Sequence, residues 1–284
     1  MLNTFVELGL KYYFCEKDFM MKQAIQYIAL FLVVLVTACG PSQEDLARVK
    51  LEQAKAMLQN QDTTGALQKL DSIAKLFPEA VYSINAAKNL STDVRFVVYE
   101  RTEAELDSLK VTIAELKKNF VTEKTEFDRY TQYIHKRQTF KRAWDRSYIQ
   151  VHLDERGELY LSSNYHGDHW LNHTGLRVYD SGEDAKTEKI PIGSPDNHRS
   201  DFMDAKWEKV SYRNGNDNGV IEFIAQHVDR NLKAVFLGDE YYYIILETYD
   251  KEAVRDAFAL SKAIKKQKKL EREIKRLENQ LNIQ

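Results

Sequence analysis

The chain has 284 residues, and 41 Lys and Arg stand against 43 Asp and Glu, which gives a formal net charge of -2 at pH 7. A near-neutral balance argues against a dedicated nucleic-acid binder, so no nucleic-acid partner is expected. The sequence contains two cysteines, Cys15 and Cys39. Cys15 lies upstream of the leader at 20–38, and Cys39 is expected to be lipidated, so no cysteine is left for a disulfide, a thiolate metal site or a nucleophile, and stability is expected from packing.

Residues 20–38 have the three parts of a secretory signal peptide. Lys22 supplies the positive end, residues 28–36 form an apolar run, and small residues follow at the cut site. The run is too short to cross a bilayer as a stable helix, which disfavours a permanent anchor. Residues 1–19 place acidic side chains ahead of that positive end, so we interpret them as an upstream start called in error, with Met20 or Met21 as the true start.

The end of this leader, Val36-Thr37-Ala38-Cys39, resembles the lipobox of bacterial lipoproteins. The resemblance implies that Cys39 carries a diacylglyceryl thioether and an amide-linked fatty chain such as palmitate, and becomes the new N-terminus. Several acyl chains anchor firmly, whereas one chain binds reversibly. It therefore implies a lipid-anchored protein of the bacterial cell envelope, at the outer membrane. The protein could face either the periplasm or the cell surface. The alternative is a buried cysteine at the end of a core helix.

Residues 39–45 are expected to be a tether, with Ser42 as a helix N-cap and Asp45 favouring the helix start. Acidic residues after the acylated cysteine are also similar to a surface-export signal of some Gram-negative bacteria. Residues 46–78 resemble one tetratricopeptide-type helical hairpin, on the positions Ala54, Met57, Gln61, Asp62, Ala66, Leu70, Ile73 and Pro78. Such units recognise peptides or proteins, although plain helix packing explains the same residues. A lone unit cannot bury its own face, so a neighbour is expected.

Residues 79–142 lack proline and glycine, which permits a long helix. Apolar residues recur there at alternating steps of three and four, which predicts a coiled coil. The series is Leu106, Leu109, Ile113, Leu116, Phe120, Phe127, Tyr130 and Ile134, with Glu123 as its polar member.

Residues 250–284 carry a second heptad series. Its members are Leu260, Ala263, Gln267, Leu270, Ile274, Leu277 and Leu281. Two series that flank one intervening segment predict an antiparallel helical hairpin with a domain inserted at its tip. Self-association of each helix with a second chain is the competing use, so the expected partners are a protein, or a second copy through the coiled coil.

Residues 143–249 change character. A hairpin is predicted from 148–153 to 158–161 around the turn at 154–157, and further strands are predicted at 176–179, 189–192, 207–212, 220–225, 232–237 and 241–248. Short strands at this spacing without helices between them favour an antiparallel β-sandwich-like domain. The predicted fold class is α+β: an N-terminal helical hairpin and long antiparallel coiled-coil helices with an inserted β-sandwich-like domain.

One loop is a candidate metal site. It holds His166, Asp168, His169 and His173, and imidazole and carboxylate ligands both suit zinc. The pattern is only a fragment of known metal-hydrolase motifs, and a polar surface loop explains it as well. No cofactor is therefore expected, and zinc is the exception to test.

The aromatic residues of the β segment are candidate sugar platforms, represented by Trp170, Trp207 and Tyr242. Aromatic rings stack on the apolar faces of sugars, but tryptophan is also a common core residue, and strand alternation turns one face of 241–243 inward. The lysine-rich face of the last helix is interpreted as a solvated coiled-coil surface.

No nucleophile elbow, phosphate loop or dinucleotide fingerprint occurs in the sequence. The first hypothesis is therefore a non-enzymatic envelope lipoprotein whose helical stalk presents a β domain to a protein or another envelope component. The alternative is a surface glycan-binding lipoprotein of a nutrient-uptake system. A metal-dependent hydrolase is the remote third hypothesis.

Overall fold

The computed structural model describes residues 41–126, 128–139, 145–202 and 204–283. The leader and Cys39 therefore lie outside the described residues. The fold is α+β, as predicted, with helices and two antiparallel sheets. The chain divides into two compact units, one ending at Phe96 and the other beginning at Val97.

The first unit is built from helices. Helix α1 (Gln43–Gln59) and helix α2 (Thr63–Leu76) form the predicted hairpin, and α3 (Val81–Lys117) begins in this unit. The prediction of Ser42 as N-cap is confirmed, because the Asp45 amide donates to Ser42 Oγ at 3.1 Å. Gln61 adopts a φ of 63° at the turn between the helices.

The hairpin finds its neighbour within the chain. Its buried face packs on the first turns of α3 in one hydrophobic cluster of Ala47, Leu51, Ala54, Leu70, Ile73, Ala80 and Ala87. Polar contacts support this packing, because the Ser83 amide donates to Glu44 Oε1 at 2.9 Å and Arg95 Nη2 lies 2.7 Å from Asp71 Oδ2. In the described part of the first unit, the hairpin and the start of α3 therefore share one core.

The predicted helix over 79–142 is too long. Helix α3 ends at Lys117, and the chain continues into β1 (Phe120–Glu123) and β2 (Gln132–His135), which pair antiparallel. Phe120 and Ile134 of the heptad series therefore lie on strands, and Phe127 lies outside the described residues. The absence of proline and glycine permits a helix without requiring one. Strand pairing prevails here because β2 also pairs with the next strand, as in Tyr133 with Leu153.

The remaining strands form two antiparallel sheets. They are β3 (Tyr148–Asp154), β4 (Leu159–Gly167), β5 (Gly175–Asp180), β6 (Glu183–Lys186), β7 (Asn197–Phe202), β8 (Ala205–Tyr212), β9 (Lys233–Leu237) and β10 (Tyr241–Ile245). The six-stranded sheet has the order β1-β2-β3-β4-β8-β7, and the four-stranded sheet has the order β10-β9-β5-β6. Residues of both sheets, such as Ile149, Leu161 and Phe236, share one hydrophobic cluster.

The strand predictions are only partly right. The hairpin of β3 and β4 is confirmed, with Gly157 at a φ of 84° in its turn. Residues 220–225 were expected as a strand but lie in helix α4 (Val220–Gln226), and 189–192 form no strand. The helix follows Gly219 at a φ of 83° and buries Val220, Ile221 and Ile224, which a helix brings to one face.

Helix α5 (Thr248–Leu281) belongs to the second unit and has two partners there. Its first half covers the β domain, with Ala253, Val254, Ala257 and Leu260 in the cluster that also holds the strands. It also contacts α3 and the residues just after it, since Lys266 lies 2.7 Å from Glu105 and Asp256 accepts from Asn119 Nδ2 at 2.9 Å. The expected boundary at residue 250 therefore does not separate two folding units.

Candidate functional site

A buried chain of polar side chains joins β4 and β8 to the loop before β5. His173 Nδ1 donates to Glu208 Oε2 at 2.7 Å, and His173 Nε2 lies 2.9 Å from Ser163 Oγ. Ser163 Oγ lies equally close, at 2.9 Å, to the Tyr212 hydroxyl. Each residue is at most 1% exposed. The chain is thus fully enclosed by the protein.

Backbone geometry holds the carboxylate in this network. Glu208 accepts from the amides of Asn172 at 2.7 Å and His173 at 2.9 Å. Burial opposes ionisation of Glu208, but the hydrogen bonds from His173 and from the two amides together hold its pKa below the usual value. Burial raises the pKa of Tyr212, so its hydroxyl stays protonated. The network therefore contains a buried carboxylate with hydrogen-bond donors around it.

Ser163 contacts His173, and His173 contacts Glu208, as the nucleophile, base and orienting acid of a serine hydrolase contact one another. Such a nucleophile must reach a substrate carbonyl at about 3 Å. Ser163 has no exposed surface, and the Tyr212 hydroxyl already contacts its oxygen. In this state the three groups can tie two strands to a loop, but they cannot meet a substrate.

The four residues of the candidate metal loop take three different environments. His173 is in the buried network, His166 has its ring 4.4 Å from that of Trp207, and His169 pairs with Asp168 at 2.6 Å on the surface. The bond to Asp168 raises the pKa of His169. Within the described part of the chain, no three His, Cys, Asp or Glu side chains come together as a metal site.

The three candidate platform aromatics do not share a surface. Trp207 faces outward from the six-stranded sheet, because it is opposite His166 in register and its neighbour Glu208 points inward. Trp170 lies beside two cations, Arg199 at 5.3 Å and Lys206 at 5.5 Å from its ring. Tyr242 packs its ring 5.1 Å from that of Tyr165.

Strand alternation determines the exposure of the tyrosines on β10. Tyr242 is 37% exposed, whereas Tyr241 and Tyr243 are 65% and 57% exposed. The two neighbours therefore offer more accessible rings than the predicted Tyr242. They lie on the four-stranded sheet, away from Trp207.

The outer face of the six-stranded sheet carries a concave surface that we call the outer groove. Its cavity measures about 650 Å³, within the usual range of ligand sites. Aromatic, amide and charged side chains line it, among them Tyr133, Tyr148, Gln150, His152, Trp207 and Lys209. A smaller cavity of about 380 Å³ adjoins it and shares His152 and Lys209.

Cross-strand register explains why these residues meet. Tyr148, Asn164 and Lys209 lie opposite one another on β3, β4 and β8, and residues in register share a face of the sheet. The alternate residues of β3, such as Ile149 and Val151, point into the core. The alternation that builds the core therefore also builds the outer groove.

Lys209 and Arg213 place positive charge at the polar end of the outer groove, around His152. His152 stacks on Tyr160 with ring centroids 4.5 Å apart, and its Nε2 lies 2.9 Å from Ser162 Oγ. Burial lowers the pKa of His152 to about 3, and the charges of Lys209 and Arg213 act in the same direction. Burial and the charge of Arg213 also lower the pKa of Lys209. His152 is accordingly uncharged at neutral pH.

Most of the outer groove is missing from the sequence-based candidates, which include only Trp207. The alternation of Tyr148, Gln150 and His152 with apolar residues indicates an exposed strand face. That pattern does not reveal that β8 is two strands away in the same sheet. Lys209 and Tyr148 could therefore be assigned to one surface only from the structure.

Comparisons with protein-family models, with curated proteins and with solved structures find no match for this chain. Across the described residues, no helix combines the length and apolar character needed to span a membrane.

Proposed function

We propose that the chain is a lipid-anchored, non-enzymatic lipoprotein of the bacterial envelope whose β domain binds a protein or another envelope component. The outer groove is the observation that carries this proposal. It is large enough for a ligand and combines aromatic rings with amides and a cation. Half-buried polar and aromatic side chains that converge on one concavity are typical of binding surfaces.

The membrane attachment in this proposal is supported by the lipobox residues that end at Cys39. Lipidation there would tether the chain through the short segment before Ser42. The outer membrane is the proposed location, because the leader directs the chain out of the cytoplasm and the lipid retains it at the envelope.

The non-enzymatic part of the proposal is supported by the enclosure of the Ser163, His173 and Glu208 network. Its side chains have almost no solvent contact, so the network contributes to stability. The outer groove is accessible, yet its histidine has a pKa of about 3, far from the value near 7 that suits a general base.

The finer architecture that we propose is a β-sandwich-like domain held on an antiparallel helical stalk. Helix α5 has 34 residues, which corresponds to about 51 Å at 1.5 Å per residue. Pairing with α3 inside the chain is supported by the 2.7 Å contact of Lys266 with Glu105 and by the burial of Leu277, which is 1% exposed.

Crosslinking of whole cells with mass spectrometry tests this function. We expect wild type to give one dominant partner, Cys39→Ala to lose it through loss of anchoring, and Trp207→Ala to lose it while remaining at the membrane. Tyr241→Ala is the matched control, because its ring is exposed on the other sheet. Equal crosslinks from Trp207→Ala and wild type would refute the role of the outer groove.

Glycan binding is the second candidate, and the aromatic lining of the outer groove favours it. Trp207, Tyr148 and Tyr133 can stack on sugar rings, and Gln150 can bond to hydroxyls. The full chain in detergent should then bind on a glycan array, and Trp207→Ala should weaken that binding. Binding that survives this substitution unchanged would exclude the groove as the sugar site.

A further inference from the structure

Strand β10 is one of four edge strands in the sheets that the structure describes, together with β1, β6 and β7. The other three carry charged side chains: Glu123 on β1, Asp184 and Lys186 on β6, and Arg199 and Asp201 on β7. The sequence of β10 is Tyr-Tyr-Tyr-Ile-Ile, which contains no charge, proline or glycine. Charges on an edge strand discourage pairing with another chain, so β10 lacks this protection.

The register with β9 shows which backbone groups of β10 face the free edge. Just beyond the strand, the Leu246 amide donates to the Leu232 carbonyl at 2.9 Å. Antiparallel strands bond at alternate residues, so the even-numbered residues of β10 bond to β9. The odd-numbered residues point their N–H and C=O groups outward, and within the described ranges no group bonds to them. They are Tyr241, Tyr243 and Ile245.

The same three residues carry exposed apolar side chains on the outer face of the four-stranded sheet. Tyr241 is 65% exposed, Tyr243 is 57% exposed and Ile245 is 67% exposed. Contiguous exposed apolar side chains mark interaction sites on soluble domains. The free edge of β10 therefore offers unpaired backbone groups and apolar side chains together.

We propose that β10 pairs with β10 of a second copy of the chain, antiparallel about a twofold axis at Tyr243. In this register Tyr243 is opposite Tyr243 of the second copy, and Tyr241 is opposite Ile245. Each of these opposed pairs exchanges two hydrogen bonds, so every outward N–H and C=O group of the strand is used. A shift by two residues would leave one end of each strand unpaired. The inference goes beyond the proposed function and does not depend on what the outer groove binds.

The side chains of β10 complement themselves in this register. Aromatic pairs and pairs of an aromatic with a β-branched residue stabilise opposed antiparallel strands. The outer face would contain a Tyr243 pair between two pairs of Tyr241 with Ile245, and on the other face Tyr242 would be opposite Ile244. No charged residue is opposed within the paired segment. A second copy therefore fits this edge on both faces.

The nearest cation also favours a second copy. Lys233 is exposed on β9 beside Ile245. From the strand spacing and the rise per residue, the two copies of Lys233 would be roughly 20 Å apart. The Cα of Lys233 would be roughly 10 Å from that of Glu240 in the second copy, on the same estimate. The lysine would thus approach an acid and avoid its own counterpart.

The dimer should be weak in dilute solution. The interface is one strand wide, which is small for a stable complex. In addition, Asp239 would approach Glu247 of the second copy beyond each end of the pairing, although Asp239 is bonded to Asn172 Nδ2 at 2.6 Å within its own chain. Lipid anchoring would raise the effective concentration by confining the copies to one surface, and this step alone rests on the proposed function.

A charge exchange at Tyr243 tests the pairing. We expect sedimentation velocity of the full chain in detergent to show a dimer that grows with concentration. Tyr243→Lys and Tyr243→Glu should each raise the dissociation constant at least about tenfold, because like charges would be opposed on the axis. A mixture of the two variants should dimerise again. Tyr82→Lys, at an exposed tyrosine of the first unit, is the matched control and should keep the dimer. Thermal unfolding checks that each variant folds.

Cysteine crosslinking in intact cells tests the register. Residue 243 would have its Cα about 5.5 Å from its own copy. Residue 241 would be about 14 Å from its own copy. A short bifunctional thiol reagent should therefore link Tyr243→Cys but not Tyr241→Cys, and a chain with both Tyr241→Cys and Ile245→Cys should link. The wild-type chain corrects for the two native cysteines.

Four results would overturn the inference. The first is a wild-type chain that is monomeric in detergent, together with no linked product from Tyr243→Cys in cells. The second is a dimer that survives Tyr243→Lys, or a mixture of the Lys and Glu variants that stays monomeric. The third is equal linking from Tyr243→Cys and Tyr241→Cys. The fourth is a Tyr243→Cys product that contains a different protein, which would assign the edge to that protein.

Failure of this inference is distinguishable from failure of the proposed function. The proposed function fails on unchanged whole-cell crosslinks in Trp207→Ala, which β10 does not affect. A crosslink from residue 243 joins two copies of the chain, so its product has twice the mass of the chain. It is therefore distinct from a product that Gln150 forms with another molecule.

Discussion

His173 Nδ1 lies 2.7 Å from Glu208 Oε2 in the interior of the second unit, and neither side chain has exposed surface. Two backbone amides also donate to the carboxylate, at 2.7 and 2.9 Å. The pair fastens the loop before β5 to the middle of the six-stranded sheet. Its position between strands makes it a determinant of stability.

Glu208→Gln should destabilise the fold by about 2–4 kcal/mol. The reason is that the glutamine NH₂ group would face the backbone amides and the His173 ring N–H, which are themselves donors. The control is Glu240→Gln at an exposed position, which should change stability by less than about 0.5 kcal/mol. Urea denaturation measures both. A Glu208→Gln variant as stable as the control would contradict a structural role for the pair.

The same carboxylate predicts a pH dependence. Its pKa in the folded chain is below the usual 4.5, so its contribution is complete above that value and disappears as pH falls through the folded pKa. Wild type should therefore lose stability below about pH 4.5 more steeply than Glu208→Gln. Parallel acid limbs in the two unfolding curves would show that Glu208 is not the group responsible.

His152 predicts a second pH effect of its own. Its pKa of about 3 is below the unfolded value of 6.5. Between these two pH values the imidazole is therefore protonated in the unfolded chain and neutral in the folded chain. Stability should fall as pH drops from about 6.5 toward 3, with a slope of up to about 1.4 kcal/mol per pH unit. His152→Gln should remove that slope, whereas His198→Gln, exposed on β7, should retain it. An NMR titration that places the His152 pKa near 6.5 would refute the prediction.

Leu277 tests whether α5 pairs within the chain. It is 1% exposed in a single chain, so Leu277→Ala should cost about 2–4 kcal/mol by leaving a cavity, independently of protein concentration. Lys275→Ala, exposed two residues earlier, is the control. A melting temperature that rises with concentration in wild type, but not in Leu277→Ala, would instead assign the seam to contacts between chains.

The β10 tyrosines test which ring supports the core. Tyr242→Ala should cost about 1–3 kcal/mol through lost contacts with Tyr165 and Phe236, whose rings are 5.1 and 6.0 Å away. Tyr241→Ala should be close to neutral because its ring is 65% exposed. Chemical denaturation compares the two, and a loss from Tyr241→Ala as large as that from Tyr242→Ala would show that Tyr242 does not support the core more than its neighbour.

Local patterns predict a large part of this fold. The cap at Ser42, the helical hairpin and the β3–β4 hairpin each depend on residues close in sequence, so their signals are readable. Strands β6 and β7 are absent from the predictions because edge strands bury little and tolerate polar sequences such as Glu183–Lys186. Phe120 and Ile134 follow the heptad spacing and were predicted in a helix. They lie on strands because pairing between β1 and β2 decides their conformation.

The candidate site was less predictable for the same physical reason. His166, Asp168, His169 and His173 are neighbours in sequence, but strand alternation and a turn send them to different environments. The outer groove is the reverse case, because Tyr148 and Lys209 are far apart in sequence and meet only through the register of three strands. Sequence proximity overstated one site and concealed the other.

The most direct measurement is site-specific photo-crosslinking in intact cells, with the photoreactive residue at Gln150 in the outer groove. The matched position is Tyr243, which is exposed on the other sheet. The proposed function predicts a discrete adduct from Gln150 that disappears with Trp207→Ala and is absent from Tyr243. Adducts from Tyr243 alone, or identical adducts from both positions, would contradict binding through the outer groove.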